Sequence, residues 1–262
     1  MKKYLRIYKK LMELNLSTLT AYRANFVNSM VSSVVWGLFT VFSVILLTNR
    51  IDSLFGWSRD EIILLTCVFN IILGVFHLLF SRNFEYFSRI VHLGQLDTFL
   101  LKPIDAQFLL STRYINYTSI IRVLFGVGLT CYFLRERLFA IRPIDVLLFL
   151  LFSFCGIVLL YSIWYIVTTI TIWFSRLNNI VDVLFTMSSI TRYPPEMYRE
   201  FSFYIFAFLL PLILIITTPT KFLLGRPDAA SMIGLLIFSI VFFVASRKFW
   251  RFALRFYTSA SS

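Results

Sequence analysis

The residues of this sequence that could do chemistry are few and scattered. The only histidines, His77 and His92, have no carboxylate or cysteine at metal-ligand spacing around them. Cys67, Cys131 and Cys155 lie in or near apolar runs and show no pairing or ligand spacing. We therefore interpret the histidines as packed side chains and the cysteines as small core residues, and we predict no catalytic residue and no metal site.

The sequence also lacks the motifs by which a protein binds nucleotides. It contains no G-x-x-x-x-G-K-[ST] phosphate-binding loop and no glycine-rich dinucleotide turn, so the chain is not expected to be its own ATPase or to bind a cofactor. A transferase or hydrolase would need clustered acidic, histidine or serine residues at a membrane face, and none is visible. Asp182 is the one carboxylate in an apolar run that an ion-driven carrier could use.

The composition indicates that a membrane positions these few groups. Of 262 residues, 59% are hydrophobic and only 15% are charged, which is more apolar surface than a soluble domain of this length could bury. Five uncharged runs approach or exceed the roughly 20 residues that cross a bilayer as a helix: 24–48, 62–81, 146–175, 201–220 and 229–246. The sequence predicts an all-α integral membrane protein.

The net charge of +12 gathers at the two chain ends and beside the apolar runs. There it orients a membrane protein and attracts anionic lipid, and it does not indicate nucleic-acid binding. Because both ends are basic, both are expected in the cytoplasm, and the number of crossings is even. The section 176–225 holds two apolar runs, 180–191 and 201–220, of which one is expected to cross and the other to be re-entrant; the sequence does not tell which.

The predicted layout is a single transmembrane domain with six spans. Its parts are a basic interfacial helix (1–23), spans 1 and 2 (24–81), a cytoplasmic loop (82–112), spans 3 and 4 (113–175), span 5 with an outer re-entrant segment (176–225), span 6 (226–250) and a cytoplasmic tail (251–262).

Residues 89–110 are the one long segment between two spans that is polar enough for water and still amphipathic. Gly94 and Pro103 bracket its central turns as a helix breaker and a stop. A short cytoplasmic helix of this kind is suited to docking on a soluble partner through its apolar face; the alternative is a helix lying in the headgroup layer. The residues assigned to this helix are Gly94, Gln95, Leu96, Asp97, Phe99, Leu100, Lys102 and Pro103.

A second group of residues could line a cavity or gate. Arg122 lies in the polar start of the weak third span, where it either snorkels to the interface or faces a protein cavity. The motif RYPPEMYR (192–199) reads as a structural cap or gate hinge, with substrate contact as the alternative. The candidates are Arg122, Asp182, Arg192, Pro194, Pro195 and Glu196.

Five motifs, in order and with their spacing, resemble those of the permease subunits of bacterial ABC-2-type ATP-binding-cassette exporters, in the compact six-span subgroup. They are MKKYLRIYKKLMELNL with YRANF (1–16 and 22–26), GQLDTFLLKPID (94–105), RYPPEMYR (192–199), PLILIITTPTKFLLG (211–225) and FWRFALRFYTSASS (249–262). The resemblance covers essentially the whole chain. It implies an N-terminal elbow helix, a coupling helix between spans 2 and 3, and outer re-entrant helices before the last span.

The resemblance also implies partners and a location. Two permeases, either two copies or this chain with a sister, would dock on a dimer of separate nucleotide-binding subunits that hold ATP and Mg, in the bacterial cytoplasmic (inner) membrane. The family is associated with multidrug or glycolipid export, so the substrate is expected to be hydrophobic or amphipathic. The alternatives are an ion-gradient-driven secondary carrier and a membrane assembly protein without transport.

Overall fold

The computed structural model describes residues 2–21, 23–49, 53–135, 141–174, 177, 179–199 and 203–257. Within these ranges the chain is almost entirely helical, and the strands described are one antiparallel pair, β1 (Ser53–Leu54) and β2 (Trp57–Ser58). The all-α prediction is therefore confirmed for the described part. The predicted junctions at residues 22, 176 and 200–202 and the chain end 258–262 lie outside the described residues.

The helices follow the apolar runs of the sequence. They are α1 (Lys2–Ala21), α2 (Arg23–Thr48), α3 (Arg59–Phe76), α4 (Arg82–His92), α5 (Asp97–Leu100), α6 (Ala106–Thr112), α7 (Ser119–Leu134), α8 (Pro143–Thr169), α9 (Ile180–Ser189), α10 (Pro195–Arg199), α11 (Phe203–Leu223) and α12 (Ala229–Ala253). A π-helical turn, His77–Ser81, joins α3 to α4, and 3-10 turns at Ile170–Ile172 and Ile190–Arg192 extend α8 and α9.

Five of the described helices are long and apolar enough to cross a membrane: Phe26–Thr48, Arg59–His92, Pro143–Ile172, Tyr204–Leu223 and Ala229–Ala253. The chain is thus a multi-pass membrane protein. The predicted third span corresponds to α7, which is apolar but only 16 residues long. Length and composition alone therefore yield five crossings, and the sixth stays a prediction.

The second long helix continues beyond residue 81, where the cytoplasmic loop was predicted to begin. It runs without a break through the π-helical turn and α4 to His92. The reason lies in the packing of α4, because Phe84 and Phe87 are 1% exposed and contact Tyr165 of α8, while Phe87 also contacts Trp250 of α12. This burial favours helix through the segment.

The predicted third span has a break in the helix at its start. Residues 113–118, between α6 and α7, are not helical, and their backbone groups bond to the neighbouring second helix. The Asn83 side chain donates to the Tyr114 carbonyl and accepts from the Tyr114 N–H, both at 2.8 Å. The Asn116 N–H donates to the Leu78 carbonyl at 2.8 Å. A break within a membrane is tolerated when protein satisfies its polar groups in this way.

The helices pack most closely where glycine removes a side chain. α3 and α7 run side by side, and a Cβ built at Gly126 would lie 2.9 Å from the Ile71 side chain and 3.0 Å from its backbone nitrogen. On α8, which packs against α11 and α12, a Cβ at Gly156 would lie 2.9 Å from the Ile215 carbonyl oxygen. Small residues that allow close backbone approach are typical of membrane helix packing.

The section from α9 to α11 begins and ends at opposite ends of the helical bundle. Near the start of α9, Asp182 shares a cavity with Glu85 and Arg89 of α4. Just after α11, Arg226 pairs with Glu61 at the beginning of α3. Both positions are anchored to the same long helix, one near each of its ends, which is the arrangement that a single net crossing requires.

The two glycines of α7 offer a matched test of this packing. Gly126→Ala should lower the free energy of unfolding by about 1–3 kcal/mol, because the new methyl group overpacks the contact with α3. Gly128→Ala, with nothing within 4 Å of its Cβ, should be neutral or stabilise by up to about 1 kcal/mol through helix propensity. Thermal unfolding of both variants in the same detergent measures this, and equal midpoints would contradict the proposed contact.

Candidate functional site

The loop between α4 and α6, residues 93–105, lies at one end of the bundle and is called the tip below. α4 ends at His92, and Gly94 follows with a φ of +66°, which favours glycine. The Gly94 N–H donates to the Val91 carbonyl at 3.1 Å, and the Gln95 N–H donates to the Ile90 carbonyl at 2.8 Å, which closes the helix end. The predicted helix over 95–102 is shorter than expected, since only α5 is helical.

The apolar face of this tip points mostly inward. Leu96 and Phe99 are 0% and 2% exposed. The ring centres of Phe99 and Tyr86 lie 5.9 Å apart. The guanidinium of Arg113 and the ammonium of Lys102 lie 5.4 and 5.0 Å from the centre of the Phe99 ring. The structure thus differs from the expectation that this face seats on a partner, because α4 and α6 of the same chain supply a nearer apolar surface.

Other side chains of the tip face outward. Leu101 is 85% exposed and Leu93 is 55% exposed, and Lys102 and Pro103 are also exposed. These side chains are not covered by the described part of the chain. The surface formed by Leu93, Leu101, Lys102 and Pro103 is called the tip surface below.

The tip is joined to two long helices through polar contacts. Asp105 forms an ion pair with Arg247 of α12, and the same guanidinium donates to the Gln107 side-chain oxygen at 2.8 Å. Gln107 in turn donates to the Tyr161 hydroxyl of α8 at 3.3 Å. Burial acts to raise the pKa of Asp105, but hydrogen bonds from Arg247 and from the Phe108 N–H outweigh it and lower that pKa below its usual value.

Helix α1 lies against the same loop. Lys3 donates to the Pro103 carbonyl at 3.2 Å, and Asn15 donates to the Arg113 carbonyl at 2.9 Å. The rings of Tyr4 and Phe108 meet edge to face at 4.9 Å. The predicted N-terminal helix is therefore present over Lys2–Ala21, and its position on the membrane surface stays a prediction.

Arg122 lines a cavity of about 590 Å³ between α2, α3, α7 and α9. The residue is only 7% exposed. Its Nε donates to the Asn70 side-chain oxygen at 3.0 Å, and its guanidinium lies 5.6 Å from the Phe69 ring centre. Asn70 is held in place because its amide nitrogen donates to the Thr40 hydroxyl at 3.1 Å and to the Thr66 carbonyl at 3.0 Å. Of the two alternatives for Arg122, this geometry fits the cavity.

The other predicted gate residues lie elsewhere. Asp182 is exposed beside a separate cavity of about 290 Å³, which Glu85, Arg89 and His92 also line. Within the described ranges, no group of three or more histidine, cysteine or acidic side chains could hold a metal ion. Because Asp182 lines this second cavity and Arg122 lines the first, the two side chains do not share a site.

The RYPPEMYR motif lies at the end of the bundle opposite the tip. Tyr193 is extended, as a residue before proline favours, and Pro195 begins α10 after Pro194. Glu196 accepts a hydrogen bond from the Trp57 indole at 2.8 Å, whereas the Arg192 guanidinium lies 4.8 Å from the ring of Tyr193. Through Glu196 the motif contacts the β1–β2 hairpin, and it does not line the Arg122 cavity.

Sequence reasoning missed the partners that hold these sites. Asn70 precedes Arg122 by 52 residues, Glu61 precedes Arg226 by 165, and Asp105 precedes Arg247 by 142. No local pattern connects such pairs. A polar residue inside an apolar run, such as Asn70, was the one available signal, because a buried amide needs partners.

Comparison with known proteins gives one match. The family model described as "ABC-2 family transporter protein" matches residues 34–261. No curated protein and no solved structure matches the chain.

The Asp105–Arg247 pair should make stability depend on pH. Since the pKa of Asp105 is lowered in the folded protein, its contribution is complete above the unfolded value of about 3.9 and disappears as pH falls through the folded pKa. Asp105→Asn should therefore lower the unfolding temperature at neutral pH, with a deficit that shrinks toward about pH 3. The exposed acid of α1 supplies the control Glu13→Gln, which should show no such trend; a deficit that stays constant with pH would contradict the ion pair.

Proposed function

Because the chain belongs to the ABC-2 transporter family, we propose that it is the membrane-spanning permease subunit of an ATP-binding-cassette exporter. The protein is a transporter component, and separate nucleotide-binding subunits would bind ATP and Mg and perform hydrolysis. The substrate would be hydrophobic or amphipathic, drug-like or lipid-like, and would leave the bacterial cytoplasmic membrane outward. The observation that supports this most directly is the tip, which is exposed on one side and tied to the transmembrane helices on the other.

The contacts of the tip supply a route for force. A partner that moves the tip surface would displace Phe99, which packs on Tyr86 of α4. The same displacement would act on α12 through the Asp105–Arg247 pair and on α8 through Gln107. ATP-driven closure of the nucleotide-binding subunits would thereby tilt several spans together, as in domain motions that pivot on a packed interface.

We also propose six crossings with both chain ends in the cytoplasm. The third crossing would consist of α6, the hydrogen-bonded break at 113–118 and α7, which explains why its apolar helix is short. The section from α9 to α11 would cross once in net terms and would include an outer re-entrant part. The tip would then lie in the cytoplasm and the β1–β2 turn outside.

The functional unit would contain two permeases, either two copies or this chain with a sister. α2 and α12 are apolar, and in the most apolar part of each helix only 22% of the residues are buried within the chain. These outer walls leave apolar surface for lipid and for a second permease. Of the alternatives, an ion-driven carrier would need no exposed docking surface, and an assembly protein would need no ATP-binding partner.

Capture of the nucleotide-binding subunit tests the proposal. The tagged chain is purified from its native membrane in mild detergent, and a stoichiometric ATP-binding subunit is expected with it. Leu101→Asp should reduce that recovery at least about tenfold, since it places a charge where an apolar contact is expected. Undiminished recovery with Leu101→Asp would sink the role of the tip surface.

A matched control exists at the other end of the molecule. Phe55 is a partly exposed aromatic residue of the β1–β2 turn with a φ of +54°, which aspartate tolerates well. Phe55→Asp should leave capture unchanged. Leu96→Asp, at a fully buried position, should instead reduce the amount of folded chain.

Cysteine labelling tests the topology. In a variant without Cys67, Cys131 and Cys155, a membrane-impermeant maleimide applied to intact cells should label Phe55→Cys and leave Thr98→Cys unlabelled. After permeabilisation both should react. Labelling of Thr98→Cys in intact cells would contradict the proposed orientation.

A further inference from the structure

We infer that the Arg122 cavity binds the anionic head group, a phosphate or carboxylate, of an amphipathic molecule. The inference deepens the proposed function by naming a substrate class, and it rests on that function only in calling the bound molecule a substrate. It depends on three properties of the cavity: an incompletely paired cation, a wall without acidic side chains, and an opening bordered by apolar surface.

The first property is the state of Arg122. Among the described residues, its Nε makes the one hydrogen bond of the side chain, to neutral Asn70. None of the ion pairs described includes Arg122. An arginine that is only 7% exposed and is described in contact with a neutral amide and an aromatic ring is costly in a membrane protein, and its terminal amino groups retain unused donors. A bound anion would supply the missing charge with bidentate geometry.

The second property is the polarity of the wall. No described residue that lines the cavity is acidic. The hydroxyl groups of Thr186 and Ser189 donate to backbone carbonyls at 3.0 and 2.6 Å, so their protons are committed. Ser188 likewise donates to the Leu184 carbonyl. Among the described residues that line the cavity, Arg122 is the one with a permanent positive charge, which favours an anion over a cationic cargo.

The third property is the setting of the cavity. Its volume of about 590 Å³ is that of a small-molecule site. Trp36 at its rim is 60% exposed, on a face of α2 that continues with exposed Val35 and Phe39. The π-helical turn begins at His77, which also lines the cavity and stacks on Phe185 at 5.1 Å; such turns occur frequently at functional sites. An amphipathic molecule could then place its head group in the cavity beside Arg122 and its hydrocarbon tail against the exposed apolar face of α2.

Trp36 provides a direct measurement of binding. The purified full chain in discs of phosphatidylcholine is titrated with three brominated probes that share one tail: bromoundecyl phosphate, bromoundecanol and bromoundecyl trimethylammonium. Bromine quenches nearby tryptophan fluorescence, and the Trp36→Phe variant identifies the part of the signal that arises in the cavity. The phosphate should bind at least about tenfold more tightly than the alcohol, and the ammonium more weakly than either.

Variants assign this preference to Arg122. Arg122→Gln should bind the phosphate and the alcohol within about twofold of each other, whereas Arg82→Gln, at an exposed arginine that does not line the cavity, should behave as the unmodified chain. Asn70→Asp keeps Arg122 and gives it an internal carboxylate, so it too should abolish the preference. If Arg122→Gln does not fold, the head-group preference of Asn70→Asp alone tests the role of Arg122.

Two outcomes would overturn the inference: equal affinity of the unmodified chain for phosphate and alcohol, or a phosphate preference that survives in Asn70→Asp. The assay needs neither ATP nor the partner subunit. Loss of the nucleotide-binding subunit from the capture experiment, with head-group preference intact, would therefore overturn the proposed function and leave the anion site standing.

Discussion

The rest of the structure depends on one hydrogen-bonded joint inside the membrane domain. The second long helix contains a π-helical turn at His77–Ser81, and the chain between α6 and α7 is broken at 113–118; such irregular backbone leaves polar groups that lipid cannot satisfy. Protein groups satisfy several of them, since the Asn116 N–H donates to the Leu78 carbonyl of the turn and the Asn83 side chain of α4 bonds to both backbone groups of Tyr114. This joint sets where α7 starts and hence where Arg122 lies, and it holds α6 below it.

Much of the fold was accessible from the sequence because membrane physics acts locally. Uncharged runs must become helices when no water can satisfy the backbone, and a glycine such as Gly94 can close a helix end at low cost. The sequence predicts a weak third span from its polar start, and α7 lies where that span was expected. Its shortness was not predicted, because the length of α7 follows from hydrogen bonds to a helix more than thirty residues earlier in the chain.

The site was less predictable than the fold. Helical periodicity indicated that Leu96 and Phe99 share an apolar face, but periodicity cannot say whether that face meets the same chain or another one. In the structure this face is buried within the same chain, and Leu101 is the leucine that is exposed on the surface of the α5 region. Arg122 was identified as a charge in need of an explanation, whereas its partner Asn70 could be found only by bringing two helices together.

The division of labour within the tip also bears on how such transporters diversify. The internal contacts of Leu96, Phe99 and Asp105 tie the tip to the helices, while the side chains of Leu93 and Leu101 are mostly exposed. Changes at Leu93 and Leu101 can therefore accumulate without disturbing the fold. Under the docking role proposed for the tip, a cell with several related permeases would keep their motor subunits from mixing by varying these side chains, and a laboratory would exchange one motor for another at the same positions.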